Sequence, residues 1–95
     1  MLNGKQKRYL RSLANNERPI FQIGKDGISD NLIETIFDAL IAKELIKVSV
    51  LKSCSADMNE IAVKICAGCS CELVQKIGRT LVFYKRTCEN RIILP

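Results

Sequence analysis

Leu32, Ile33, Ile36, Phe37, Leu40 and Ile41 recur with a helical period and form the clearest amphipathic face in the chain. Ser29 stands before them as an N-cap, with Asp30 in the first turn and Ile28 placed to staple onto Ile33. Gly4 to Ala14 reads as an earlier helix. Leu2, Tyr9, Leu10 and Leu13 fall on one side of it, Lys5, Arg8 and Arg11 fall opposite, and Lys7 lies at the edge. Asn15-Asn16-Glu17-Arg18-Pro19 ends that helix, since proline forces the residue before it into an extended conformation. A third helix carries Met58, Ile61, Ala62, Ile65, Cys66 and Cys69 inward. Asp57 and Glu60 form a capping-box-like pair at its start, and Gly68 is the expected terminator.

Between the helices the period changes to two. Pro19 to Ile23 reads as a short strand, and Ile46-Lys47-Val48-Ser49-Val50 alternates strictly. Cys71 to Ile77 and Thr80 to Lys85 are β-rich runs joined by Gly78-Arg79, a two-residue hairpin signal. The order α-β-α-β-α-β-β predicts an α+β sandwich, one domain over residues 1–95, with a four-stranded mixed sheet covered by three helices. The first strand, its helix and the second strand fit a right-handed crossover between parallel strands. Lys47 and Ser49 place polar groups on one face of the second strand, so the helices are expected mainly on the other. The closing run Arg91-Ile92-Ile93-Leu94-Pro95 is apolar enough to pack against the body.

Composition narrows the function. The 95 residues carry a net charge of +5 with a pI near 9.1, which leans toward a polyanionic partner. No apolar run approaches the roughly 20 residues of a membrane span. The polar opening Met1-Leu2-Asn3-Gly4-Lys5-Gln6-Lys7-Arg8 lacks a signal-peptide core, so a cytoplasmic, monomeric protein with free thiols is expected. Histidine is absent, which removes the commonest general base and metal ligand.

The candidate chemistry centres on Gly24-Lys25-Asp26-Gly27, between the first strand and the helix opened by Ser29. Glycine accepts positive φ and lets another backbone approach closely, while a helix N-terminus offers unpaired N–H groups and positive potential. With Lys25 adding charge, the segment can seat a phosphate. Lys5, Lys7, Arg8 and Arg11 would extend the electropositive track if the first helix lies beside the loop. Arg79, Lys85 and Arg86 are further candidates, each of which also reads as a solvated strand-end charge. Aromatic residues make up 5% and tryptophan is absent, so base stacking is not expected to dominate.

Three other readings compete. Cys66-x-x-Cys69-x-Cys71, with Cys54 or Cys88 as a fourth ligand, would suit a metal or redox protein. At helical spacing Cys66 and Cys69 read instead as small core residues, and neither metal nor cofactor is expected. An enzyme lacks support: Glu34 and Asp38 lie on an outer helix face without a nucleophile or histidine, and no G-x-x-x-x-G-K-[ST] loop is present. The acidic side of the second helix would also suit an interaction module that binds a basic ribosomal protein.

The chain resembles a single CRM domain, the chloroplast RNA splicing and ribosome maturation family, and is most similar to its stand-alone prokaryotic members. The resemblance rests on four pieces in order: Lys5-Gln6-Lys7-Arg8-Tyr9-Leu10-Arg11, Ile23-Gly24-Lys25-Asp26-Gly27, Glu44-Leu45-Ile46-Lys47-Val48, and Ile77 to Arg86. It implies an RNA-binding domain related in shape to KH domains and to the C-terminal domain of bacterial translation initiation factor three. It further implies that Gly24, Lys25, Asp26 and Gly27 clamp an RNA backbone. The expected partner is ribosomal RNA in precursors of the large ribosomal subunit, and the expected process is ribosome assembly. The cysteines depart from the family pattern without touching a recognition residue.

Overall fold

A computed structural model describes residues 2–87 and 92–95. Helix α1 spans Gly4–Ala14, strand β1 Phe21–Ile23, helix α2 Asp30–Lys43 and strand β2 Leu45–Val50. Helix α3 spans Met58–Cys69, followed by strands β3, Glu72–Ile77, and β4, Thr80–Tyr84. The sheet order is β1-β2-β4-β3: β1 runs parallel to β2, and the other pairs are antiparallel.

Local chemistry explains the ends of the elements. Asn3 caps α1 through a reciprocal pair in which Gln6 N–H donates to Asn3 Oδ1 at 2.8 Å and Asn3 N–H donates to Gln6 Oε1 at 3.1 Å. Ser29 caps α2 by accepting from Leu32 N–H at 3.1 Å. Asp57 caps α3 by accepting from Asn59 N–H at 3.1 Å, so the described cap bond is to Asn59 rather than a reciprocal pair with Glu60. Gly68 does not end α3, which continues to Cys69 and stops at Ser70 in the left-handed conformation. The glycine serves packing instead. A Cβ at position 68 would lie 2.7 Å from Ile33 Cγ2, so its absence lets α2 and α3 approach closely.

The core has two parts, one on each face of the sheet. Ile36 and Leu40 of α2 and Ile61, Ile65 and Cys69 of α3 pack on Ile23, Ile46, Val48, Val50, Leu81 and Phe83. On the reverse face Leu2, Leu10 and Ala14 pack on Leu45, Val74, Val82 and Tyr84, with Ile92 and Leu94 alongside. The expectation of helices mainly on one face is therefore corrected: α1 covers the reverse face. The polar pair Lys47 and Ser49 represents only part of that face. The unbroken run Leu81-Val82-Phe83-Tyr84 is the sequence signature of a strand covered on both sides, and all four residues are buried.

Glu44, directly after α2, is fully buried with φ 66°. Its carboxylate accepts from the Thr87 hydroxyl and, at 3.0 Å, from Ile92 N–H, while its backbone oxygen accepts from Lys85 N–H at 2.8 Å. A buried carboxylate is tolerated when hydrogen bonds replace its hydration. Here those bonds tie the C-terminal segment to the body, as the apolar pattern of Ile92 and Leu94 suggested. Arg91 and Cys88 lie outside the described residues.

Candidate nucleic-acid interface

The glycine loop leaves the sheet where β1 ends and forms a tight turn in which Gly27 N–H donates to Gly24 O at 3.0 Å. Gly27 has φ +68° and open space around its missing Cβ. Its backbone conformation therefore demands glycine. Gly24 is different: its φ is not positive, and a Cβ there would make ordinary contact with Leu51 Cδ1 at 3.6 Å. Neither backbone strain nor crowding within the fold requires glycine at 24. Lys25 and Asp26 are exposed at the tip, and the first turn of α2 follows immediately.

A second hydrogen-bonded layer supports this turn. Leu51 N–H donates to Ile23 O at 2.8 Å, so the chain leaving β2 runs beside the start of the loop. Arg79, in the β3–β4 turn, reaches the same segment: Nε donates to Val50 O at 2.9 Å and Nη2 to Leu51 O at 2.7 Å and Cys54 O at 3.5 Å. A solvated strand-end charge does not describe this side chain.

The remaining cations form a separate group. Because Tyr84 pairs with Leu45 whereas Thr80 pairs with Ser49, Lys85 and Arg86 lie at the end of the sheet opposite the loop. Arg86 is exposed and shares a cleft with Gln6 of α1. Lys85 Nζ donates to Ser70 O at 3.1 Å and sits 5.3 Å from the centre of the Phe37 ring, so it caps α3 and covers an aromatic face. Lys5 and Arg8 are exposed on α1, with Lys7 and Arg11 half-buried. The core cluster under α1 contains no residue of β1, α2 or the loop. The fold therefore distributes the predicted cations between two regions, Lys25 with the loop and the α1 residues with Arg86.

The thiols divide similarly. Cys54, Cys69 and Cys71 are buried, as core residues should be, whereas Cys66 is half-buried. The last turn of α3 brings Cys66 and Cys71 together, with Cys71 N–H donating to Cys66 O at 3.2 Å. The Cys71 thiol's hydrogen bond lowers the Cys66 pKa to about 7, with help from Leu73 N–H and against burial and the Glu72 charge. The same bond, then burial, pushes Cys71 up, and burial pushes Cys69 up. Among the described residues no group of three or more His, Cys, Asp or Glu side chains is arranged to hold a metal ion. Cys88, a candidate fourth ligand, lies outside those residues.

Fold and surface together define a small α+β domain with a glycine turn at a helix entrance and dispersed basic side chains, the attributes of an anion-binding module. The chain belongs to the CRS1 / YhbY (CRM) domain family, whose model matches residues 2–85. It is 54% identical over 93 residues to the probable RNA-binding protein YqeI of Bacillus subtilis, covering 98% of this chain and 97% of that protein. An RNA-binding protein of Haemophilus influenzae is 34% identical, with coverage of 99% and 95%. The solution structure of SAV1595 from Staphylococcus aureus, for which RNA binding has been suggested, superposes with a TM-score of 0.84 at 53% identity and full coverage of both chains.

Proposed function

We propose that this chain is an RNA-binding protein that acts by binding, without chemistry, on ribosomal RNA in precursors of the large ribosomal subunit. Its place of action is the cytoplasm, as a monomer, with a ribosomal protein as a possible neighbour; no described helix is long and apolar enough to cross a membrane. The observation that carries the reading is the glycine turn itself. Gly24 has no steric reason within the fold to be glycine, and close approach of a phosphate backbone supplies one. Support also comes from the family and from relatives named as RNA-binding proteins.

In this mechanism the turn and the first turn of α2 present N–H groups to one or two phosphates. Gly27 N–H already bonds to Gly24 O, so the donors are its neighbours. Lys25 supplies a mobile charge, and Asp26 completes the clamp at the exposed tip. Lys5, Lys7, Arg8, Arg11 and Arg86 bind a further stretch of the same RNA, while Lys85 contributes potential from its seat on Ser70.

The test is RNA affinity after Lys25→Asp, with Glu34→Lys as control. Both residues are exposed, so stability should change by within about 0.5 kcal/mol. Lys25→Asp should weaken binding by about tenfold or more, since it replaces a phosphate contact with repulsion. Gly24→Ala should keep the fold and also weaken binding. If folded Lys25→Asp binds like the parent at physiological salt, the loop is only a turn.

A further inference from the structure

We infer that Arg79 is the positioning residue of the glycine loop: it fixes the segment against which the loop is built and makes no phosphate contact of its own. This rests on the proposed function, because it concerns how the same loop is held ready for RNA.

The connection runs through three short links. The edge of the guanidinium formed by Nε and Nη2 binds Val50 O and Leu51 O at 2.9 and 2.7 Å, and Nη2 also reaches Cys54 O at 3.5 Å. These carbonyls belong to the chain as it leaves β2, beyond its pairing with β4. Leu51 then donates its N–H to Ile23 O at 2.8 Å, and its side chain faces the Cα of Gly24. The Arg79 backbone closes the arrangement by accepting from Val50 N–H at 2.7 Å. One side chain thus binds Val50 O, adds a second donor to Leu51 O, which also accepts from Cys54 N–H at 3.0 Å, and holds the floor of the turn.

Arginine suits this task for a geometric reason. Its planar fork donates along one edge to two acceptors at once, whereas a lysine ammonium is a single point on a flexible stem. Of the guanidinium edges that can grip a phosphate bidentately, the Nε–Nη2 edge is already engaged. A phosphate-binding loop loses affinity when it must be ordered on binding, so a brace raises affinity without touching the ligand.

The experiment uses the full chain, labelled random-sequence RNA and a potassium chloride series, comparing Arg79→Lys, Arg79→Gln and Leu51→Ala with the parent. Affinity should fall about tenfold in both arginine variants, the scale of one lost charge-assisted hydrogen bond. The slope of log affinity against log salt should stay at the parent value in all three. Amide exchange at Leu51 and across the loop should quicken, while exchange in α1 should not. Leu51→Ala changes an exposed residue and loosens the brace from its other side, so the test stands even if an arginine variant folds poorly.

A direct phosphate contact gives a different pattern: Arg79→Lys near parental, and Arg79→Gln weaker with a slope shallower by about 0.7. That result overturns the inference. So does a lower melting temperature with parental RNA affinity, which would make Arg79 a support of the fold alone. Lys25→Asp, run in parallel, separates the two levels. If it binds like the parent, the loop reading itself fails; if it weakens binding while the Arg79 and Leu51 variants do not, only the positioning role fails.

Discussion

Cys66 and Cys69 are three residues apart on one helix, yet their chemistry differs because of what each sulfur meets. Cys69 is fully buried and its thiol donates to Ile33 O at 3.4 Å, so charging it is costly. Cys66 is half-buried beside the Cys71 thiol, whose sulfur also lies 3.8 Å from Ile65 O; hydrogen bonding from that thiol favours the Cys66 thiolate and brings its pKa to about 7. The thiolate is the nucleophile, so its reactivity should rise as pH climbs through 7 and level off above. Alkylation of native protein followed by peptide mass analysis should therefore label Cys66 first, with Cys69 reacting only in denaturant. Cys71→Ala removes the donor and should move the Cys66 midpoint upward. Equal labelling of Cys66 and Cys69 at every pH would contradict this account.

Among the elements, the contact between α2 and α3 governs how the loop-bearing helix sits on the sheet. Gly68 and Ile33 meet there at a separation that leaves no room for a methyl group. Gly68→Ala gains about 1 kcal/mol of helix propensity but incurs overpacking of about 1–3 kcal/mol. The expected net result is a loss of about 1 kcal/mol, measured as a lower urea midpoint with unchanged slope. A companion change of Ile33→Val makes room and should recover part of the loss. A stabilised Gly68→Ala protein would mean that Ile33 swings aside freely and that the helices are not held by this contact.

For the whole molecule, the question is how far an RNA extends over it. The loop with Lys25 lies at the end of the sheet where β1 and β2 finish, while Arg86 lies at the other end and α1 covers the reverse face. If RNA bridges the two regions, about four to six phosphates are neutralised and the salt slope for a long single strand should be near −3 to −4. Contact at the loop alone would leave a slope near −1. Arg8→Glu combined with Arg86→Glu should weaken binding of a long RNA and make its slope shallower, yet leave a short oligonucleotide held by the loop unaffected. A long RNA indifferent to that double change would confine binding to the loop.

The sequence by itself determined the elements, because periodicity and caps are local. The helix over Leu32 to Ile41, the Ser29 cap, the alternation of Ile46 to Val50 and the Gly78-Arg79 turn all fall where expected, although Phe37 and Ile41 of that helical face are exposed. The mixed sheet follows from their order, and the family from four short segments in register. What each side chain meets across the fold was not legible, since such contacts join residues far apart in the chain. Gly68 resembled a helix stop because its neighbour, Ile33, belongs to another helix. Arg79 resembled a surface cation because the carbonyls it binds lie more than twenty residues upstream. Only the tertiary structure put α1 on the reverse face, buried Glu44 among its donors, and separated the cations of α1 from Lys25. Local pattern sets what a segment becomes; the burial of both sheet faces decides which segments meet.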